Sequence, residues 1–269
     1  MNGLLEDKTA VIYGGGGAIG GAVAHTFARE GARVFIVGRT QAKLDAVARA
    51  AADTGAAWKI ETAQVDVFDE QAVREHAAAV AGAADGIDIA LNAVSVLHDQ
   101  GTVLSDLSLE VFLKPIDGFL RSLFTTSKAV APHMGVRRPG VILTLSEPGA
   151  KLAVPGILGH AVSAAGKEAF ARVLAAELAP NIRVIGIRPH AVLDAPDAGS
   201  YTKELFEQMA SAGDLTVQQF LETGLAAGTL LKKLPTLAQI AETAAFLASD
   251  QSAAMTGTVV NLSAGALVD

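Results

Sequence analysis

The 269-residue chain contains no cysteine, which excludes disulfides and thiolate-ligated metals. Aromatic residues make up only 5% of it, with one Trp and two Tyr, so phenols available for acid–base chemistry are scarce. Charge is also sparse at 18%, and 21 basic against 28 acidic residues leave a net −7. That balance lacks the concentrated positive surface a nucleic acid requires, so no nucleic-acid partner is expected. No apolar run is long and uninterrupted enough to span a bilayer, so no membrane is expected either. Residues 1–8 lack the basic start and apolar core of a signal peptide, and a cytoplasmic location is expected. Linkers, low-complexity tracts and short-period repeats are missing. No His, Asp and Glu cluster has metal-ligand spacing, so no metal is expected. What is abundant is apolar: 51% of residues are hydrophobic, as expected if a homo-oligomer buries helix faces between subunits or if a monomer is simply rich in alanine.

Short β-branched runs alternate with alanine-rich helical stretches along the whole chain. Strands are expected at 8–13, 33–37, 58–65, 87–92, 141–145, 183–187 and 258–261, and helices at 18–30, 41–53, 70–83, 109–134, 154–178 and 237–249. Thr236 with Gln239 three residues on is a capping-box start for the last helix. The run Val34-Phe35-Ile36-Val37 is apolar at every position, which marks a parallel strand covered on both faces. The alternation predicts a single α/β domain over residues 1–269, built on a doubly wound, seven-stranded parallel sheet of the Rossmann type. Only 190–238 is long and irregular. With helical pieces at 201–209 and 217–224, it is expected to form a lid at the carboxyl edge of the sheet.

Val11-Ile12-Tyr13 runs into Gly14-Gly15-Gly16-Gly17-Ala18-Ile19-Gly20, and a helix opens at once. Glycines let backbone approach a pyrophosphate, whose charge sits at the helix N-terminus among free N–H groups. Strand, glycine turn and helix together make this a dinucleotide site, with Gly14, Gly17, Ala18 and Ile19 in contact. The second strand ends Val37-Gly38-Arg39-Thr40, where an NAD-selective site usually carries an acid. A guanidinium instead matches the 2′-phosphate of NADP(H) bidentately, so Arg39 favours NADP(H).

These features resemble the short-chain dehydrogenase/reductase family over essentially the whole chain. The glycine turn carries Ala18 where the family usually has its middle glycine. Asp66-Val67 follows the third strand, where the family borders the adenine. Asn92-Ala93-Val94 stands for the family's Asn-Ala-Gly, and Pro189-His190 follows the sixth strand in place of Pro-Gly. The closing segments Phe246-Leu247-Ala248-Ser249-Asp250, Thr256-Gly257 and Asn261-Leu262-Ser263-Ala264-Gly265 also match. The resemblance implies cofactor contacts from Asp66, Val67, Asn92, Ala93, Val94, Pro189 and Val192. It also implies a homo-tetramer or homo-dimer formed through the fourth and fifth helices.

The chemistry end departs from the family, whose members reduce carbonyls with asparagine, serine, tyrosine and lysine. Lys167, in Ser163-Ala164-Ala165-Gly166-Lys167, is the counterpart of the lysine, but the tyrosine position holds Ser163. The asparagine falls at about Phe119, and the serine at Ser146 or, by the stricter register, Glu147. Tyr13 lies in the glycine turn and Tyr201 in the expected lid. Three readings follow. In the first, Leu143-Thr144-Leu145-Ser146-Glu147-Pro148-Gly149-Ala150 is similar to enoyl-acyl carrier protein reductases, which place a tyrosine seven residues before the lysine. His160 stands there, on one helix face with Ser163 and Lys167, and an imidazole can bond a developing enolate oxygen. In the second, a carbonyl reductase uses a rebuilt donor: Tyr201, His190 or Glu147. In the third, the chain binds NADP(H) without turnover, as a sensor or partner subunit. Lys167, Ser146, Ser163 and His160 are therefore the candidate catalytic residues. As alternatives, His160 is an ordinary surface histidine, Ser163 a packing residue and Glu147 a solvated loop carboxylate, while His133 and His190 are expected to be structural. Leu205, Phe206, Met209, Phe220 and Leu221 point to an apolar pocket for a small-molecule substrate or, equally, to residues that pack the lid down.

Overall fold

A computed structural model describes residues 3–52, 59–211 and 213–268. Seven strands alternate with helices: β1 Thr9–Tyr13, α1 Ala18–Arg29, β2 Arg33–Gly38, α2 Gln41–Ala52, β3 Glu61–Gln64, α3 Glu70–Ala84, β4 Ile89–Asn92, α4 Leu109–Val130, β5 Gly140–Leu145, α5 Leu158–Leu178, β6 Ile182–Pro189, α6 Thr202–Ser211, α7 Val217–Gln219, α8 Leu237–Ala248 and β7 Thr258–Leu262. The strands form one parallel sheet in the order β3-β2-β1-β4-β5-β6-β7. Direction reverses between β1 and β4, and ligands bind at that switch point, outside the carboxyl ends of the strands.

The uniformly apolar strands divide their side chains between two cores. Ala10 and Ile12 of β1 join Phe27 of α1 and Ala244 of α8 on one face. Val11 and Tyr13 join Val73 of α3, Val130 of α4 and Ala171 of α5 on the other. Burial on both sides is why these strands carry no polar alternation.

Most expected elements are present, with shifts that have local causes. The strand expected at 58–65 is confined to Glu61–Gln64, and Trp58 lies outside the described residues. The fifth helix starts at Leu158 rather than at 154, because Pro155 and a left-handed Gly156 (φ +81°) close a turn against Gly101 first. The fourth ends at Val130, where a 3₁₀ turn through Pro132 takes over. The segment expected as a helix at 217–224 begins as α7 and widens into a π-turn over Phe220–Leu225. The capping box is formed: Gln239 N donates to Thr236 Oγ1 at 3.3 Å, and Thr236 N donates to Gln239 Oε1 at 3.1 Å. Among the described residues, no helix is long and apolar enough to cross a membrane.

Candidate active site

A cleft of about 560 Å³ opens along the carboxyl ends of the strands. Its first end is the turn after β1. Gly14 is left-handed at φ +82°, and a Cβ there would lie 2.4 Å from Ala93 O; one on Gly20 would lie 2.3 Å from Gly14 O. Both contacts are impossible for other residues, so the chain folds back tightly and brings the N-terminus of α1 to the cleft. That terminus has Gly17 as its cap and no side-chain hydrogen bond, which leaves its N–H groups for a ligand. Gly14, Gly17, Ala18, Ile19, Arg39, Val67, Asn92, Ala93, Val94, Pro189 and Val192 all line the cleft. Arg39 is exposed, and its guanidinium has no hydrogen-bonding or ion-pair partner among the described residues. Lys43, one turn into α2, also lines this end beside Gly16 and was not singled out in the sequence. An uncapped helix start, a glycine cradle and two cations without ion-pair partners among the described residues fit a dinucleotide bearing phosphates.

Asp66 does not join them. It is exposed, absent from the cleft lining, and its Oδ1 accepts the Phe68 N–H at 3.1 Å. A short Asx-type bond to its own loop takes the carboxylate. Asn92 is buried in the cleft wall. Its Nδ2 donates to Thr126 Oγ1 at 2.9 Å, and its Oδ1 accepts from Val94 N at 3.3 Å, which fixes the bend after β4.

At the other end, Lys167, His160 and Ser146 reach the cleft, but Ser163 does not. Ser163 is fully buried and donates to His160 O at 2.8 Å, back onto its own helix. Ser146 Oγ donates to Glu168 Oε1 at 2.8 Å. The same carboxylate takes Arg188 Nε at 2.6 Å and Nη2 at 3.0 Å, so Ser146 belongs to a buried β5–α5–β6 ion pair. Neither hydroxyl is therefore aimed at a reacting group.

Glu147 is not a solvated loop carboxylate. It lines the cleft, its Oε1 accepts from Lys167 Nζ at 2.5 Å, and its Oε2 is buried without a partner. Burial pushes this carboxyl up, but the charge and hydrogen bond of Lys167, helped by His160 and His98, hold it below the usual carboxylate range. Lys167 Nζ also stands 4.1 Å over the ring of Phe119. His160 is 8% exposed rather than a surface residue, and its Nδ1 is buried without a partner. Burial lowers it from 6.5 to about 4, so it is a neutral imidazole at pH 7. His98, unremarked in the sequence, stacks on it with centroids 4.7 Å apart and planes at 6°. Its Nδ1 meets Val96 O at 2.8 Å and its Nε2 meets Gln100 Nε2 at 3.0 Å, which fits a neutral ring with the proton on Nδ1. Tyr201, at the start of α6, lines the same cleft 6.0 Å from the His98 ring, and burial with Glu147 nearby raises its phenol. Tyr13 is remote: it is fully buried against His76. His190 lines the cleft and accepts the Ala191 N–H at 2.6 Å. Of the residues expected to contact substrate, Leu205, Phe206 and Met209 line the cleft, whereas Phe220 and Leu221 pack into the small core of the 190–238 segment.

A glycine cradle at the switch point and a lysine in α5 at the far end of one cleft define an α/β architecture fitted to a dinucleotide. The comparisons agree. A family profile described as enoyl-(acyl carrier protein) reductase matches residues 16–266. A probable galactose dehydrogenase of Rhizobium meliloti (strain 1021) is 30% identical over 263 residues, covering 97% of this chain and 95% of its own. A 3-oxoacyl-(acyl-carrier-protein) reductase of Chlamydia muridarum is 30% identical over 267 residues, covering 98% and 99%. The crystal structure of a short-chain dehydrogenase/reductase of glucose/ribitol dehydrogenase type from Brucella melitensis superposes with a TM-score of 0.84 at 23% identity, covering 100% of both chains. The chain belongs to the short-chain dehydrogenase/reductase family of oxidoreductases.

Proposed function

We propose that this protein is an NADP(H)-dependent oxidoreductase acting on a polarised double bond, an activated C=C or a carbonyl, in a small, largely apolar substrate. The carrying observation is the single cleft with Arg39 and Lys43 at one end and Lys167, Glu147 and His160 at the other. The cofactor supplies or takes the hydride when bound. Gly14, Gly17 and the start of α1 hold its pyrophosphate, Arg39 and Lys43 its 2′-phosphate, and Lys167 its nicotinamide ribose. Leu205, Phe206 and Met209 give the substrate apolar contact, and the 190–238 segment acts as a lid that excludes water.

Between the two bond types, the activated C=C is favoured. Carbonyl reduction needs a proton on oxygen as hydride arrives, and the nearest phenol, Tyr201, is made a weaker acid by burial and Glu147. An enolate oxygen needs only a hydrogen-bond donor in a dry site, and a neutral His160 can be one. A second reading, binding without turnover, draws support from Glu147, which occupies one hydrogen bond of the lysine. Exposed Leu109, Leu113 and Phe124 on α4 with Leu158, Val162 and Val173 on α5 support assembly as a homo-dimer or homo-tetramer.

NADPH deuterated at C4 tests the function against a panel of ketones, enones and enoyl thioesters. Deuterium on the β-carbon of an enone or enoyl thioester is expected, with kcat falling about 100-fold in His160→Ala and little in Tyr201→Phe. Tight NADPH binding with no deuterium in any product would leave the non-catalytic reading standing instead.

A further inference from the structure

We infer that the buried trio Ser146, Glu168 and Arg188 is a positioning clamp for the nicotinamide end of the cleft, holding α5 against β5 and β6 so that Lys167 meets the cofactor. This rests on the redox reading above, from which the contact of Lys167 with the nicotinamide ribose comes.

Each member of the trio comes from a different part of the chain, and each stands at or next to a residue lining the cleft. Ser146 follows β5 and precedes Glu147, Glu168 follows Lys167 on α5, and Arg188 precedes Pro189 on β6. The Arg188 fork closes on the Glu168 carboxylate through Nε at 2.6 Å and Nη2 at 3.0 Å, and Ser146 Oγ adds a third bond at 2.8 Å. Arg188 has the largest fully buried side chain among the described residues, and Glu168 is only 12% exposed. Such a pair seldom stabilises a fold, because desolvating both charges offsets their attraction. What it supplies is direction. β5 and β6 are joined by their own ladder, whereas no backbone hydrogen bond ties α5 to either among the described residues. The buried face of α5 around the trio is small, with Ser163, Ala164, Ala171 and Ala175, and non-directional contact of that kind does not fix how far a helix slides. Charge-assisted hydrogen bonds do, since they weaken steeply with distance and angle. The Lys167 ammonium, on its flexible stem, reaches from α5 to Glu147 after β5 and to the Phe119 ring on α4. A slide of α5 therefore moves that charge relative to the rest of the cleft.

The test is the double variant Glu168→Leu with Arg188→Met, which replaces the pair by apolar side chains of similar size, an exchange buried pairs tolerate, and leaves the cleft lining intact. Calorimetric titration of the full chain with NADPH, and with 2′,5′-ADP, which carries the adenine half but no nicotinamide ribose, reads the two ends separately. The variant is expected to keep or raise its Tm, to bind 2′,5′-ADP as before and to bind NADPH about tenfold more weakly, because Lys167 loses one aligned bond. Ser146→Ala removes one bond of the trio and should weaken NADPH alone by about two- to threefold. Unchanged NADPH affinity in the double variant, or in Ser146→Ala should the double variant not fold, overturns the inference. So does a parallel loss of NADPH affinity, 2′,5′-ADP affinity and Tm, which is what a merely structural pair would give. Should NADH bind the unmodified protein more tightly than NADPH, NADH and AMP take their places; a protein that binds neither cofactor overturns both readings. Failure of the redox reading alone shows as no deuterium transfer from the bound cofactor, while the two affinities remain readable.

Discussion

Replacing Arg39 with alanine removes the one guanidinium at the end of β2 without touching the sheet, since the side chain is exposed and forms no hydrogen bond or ion pair among the described residues. A charge-assisted hydrogen bond to phosphate contributes about 1.5 to 3 kcal/mol, and exposure argues for the lower figure. About 1.5 kcal/mol is roughly a tenfold loss of NADPH affinity, with NADH affinity unchanged. Lys43 remains as a point charge, so selectivity should shrink rather than vanish, and Arg39→Ala with Lys43→Ala should remove it. Thermal unfolding reads this directly. NADPH at 100 times its Kd stabilises by about 2.7 kcal/mol, and at ten times Kd, the same concentration against the variant, by about 1.4 kcal/mol. The difference of about 1.3 kcal/mol corresponds to a cofactor-induced Tm shift smaller by about 2 to 3 °C for a domain of this size. Equal shifts with NADPH and NADH in the unmodified protein, or a parallel loss of both in the variant, would refute the assignment of Arg39 to the 2′-phosphate.

Further outcomes follow from the same geometry. Gly20→Ala forces a Cβ to within 2.3 Å of Gly14 O, so the turn must open; NADPH binding should be lost and Tm should fall, both measurable in one melting series. His160 binds protons less readily folded than unfolded, because burial lowers it from 6.5 to about 4. The unfolded chain therefore takes up more protons between those values, and stability should decline as pH falls from 6.5 towards 4, by on the order of 3 kcal/mol. Urea unfolding at pH 7.5 and 4.5 measures this, and His160→Gln should flatten the slope; an unchanged slope contradicts the buried neutral imidazole. Leu143→Ala empties a fully buried site in β5 and should cost about 2 to 5 kcal/mol by urea titration. Thr236→Ala breaks the capping box of α8 and should cost only about 1 kcal/mol, leaving cofactor affinity intact.

The nucleotide end was legible because its signals are local. Gly14 and Gly20 are dictated by backbone approach within a few residues, Arg39 follows directly from its strand, and Thr236 with Gln239 cap their own helix. The chemistry end was legible only as a set of substitutions. Ser163 and His160 share a helix face as the spacing predicts, yet one hydroxyl turns back on the helix while the ring faces the cleft. Ser146 gave no sign in the sequence that Glu168 and Arg188 would claim it. Arg188, after the apolar run Val184–Ile187 of β6, was the available hint of a buried ion pair. Asp66 matched the family position but turned to its own loop.

By itself the sequence determined the doubly wound parallel sheet, the glycine cradle, the cation after β2 and the serine at position 163. Each depends on periodicity or on backbone demands that act within one element. Only the tertiary structure decided which side chains stand around Lys167. It set Glu147 against Lys167 across 20 residues, stacked His98 on His160, and brought Tyr201 in from the turn before α6. Burial is what gives those side chains their chemistry, since it neutralises the imidazoles, weakens the phenol as an acid and leaves a carboxylate oxygen without a donor. Burial is a property of the packed chain, created by contacts between elements far apart in the sequence, and no local pattern carries it.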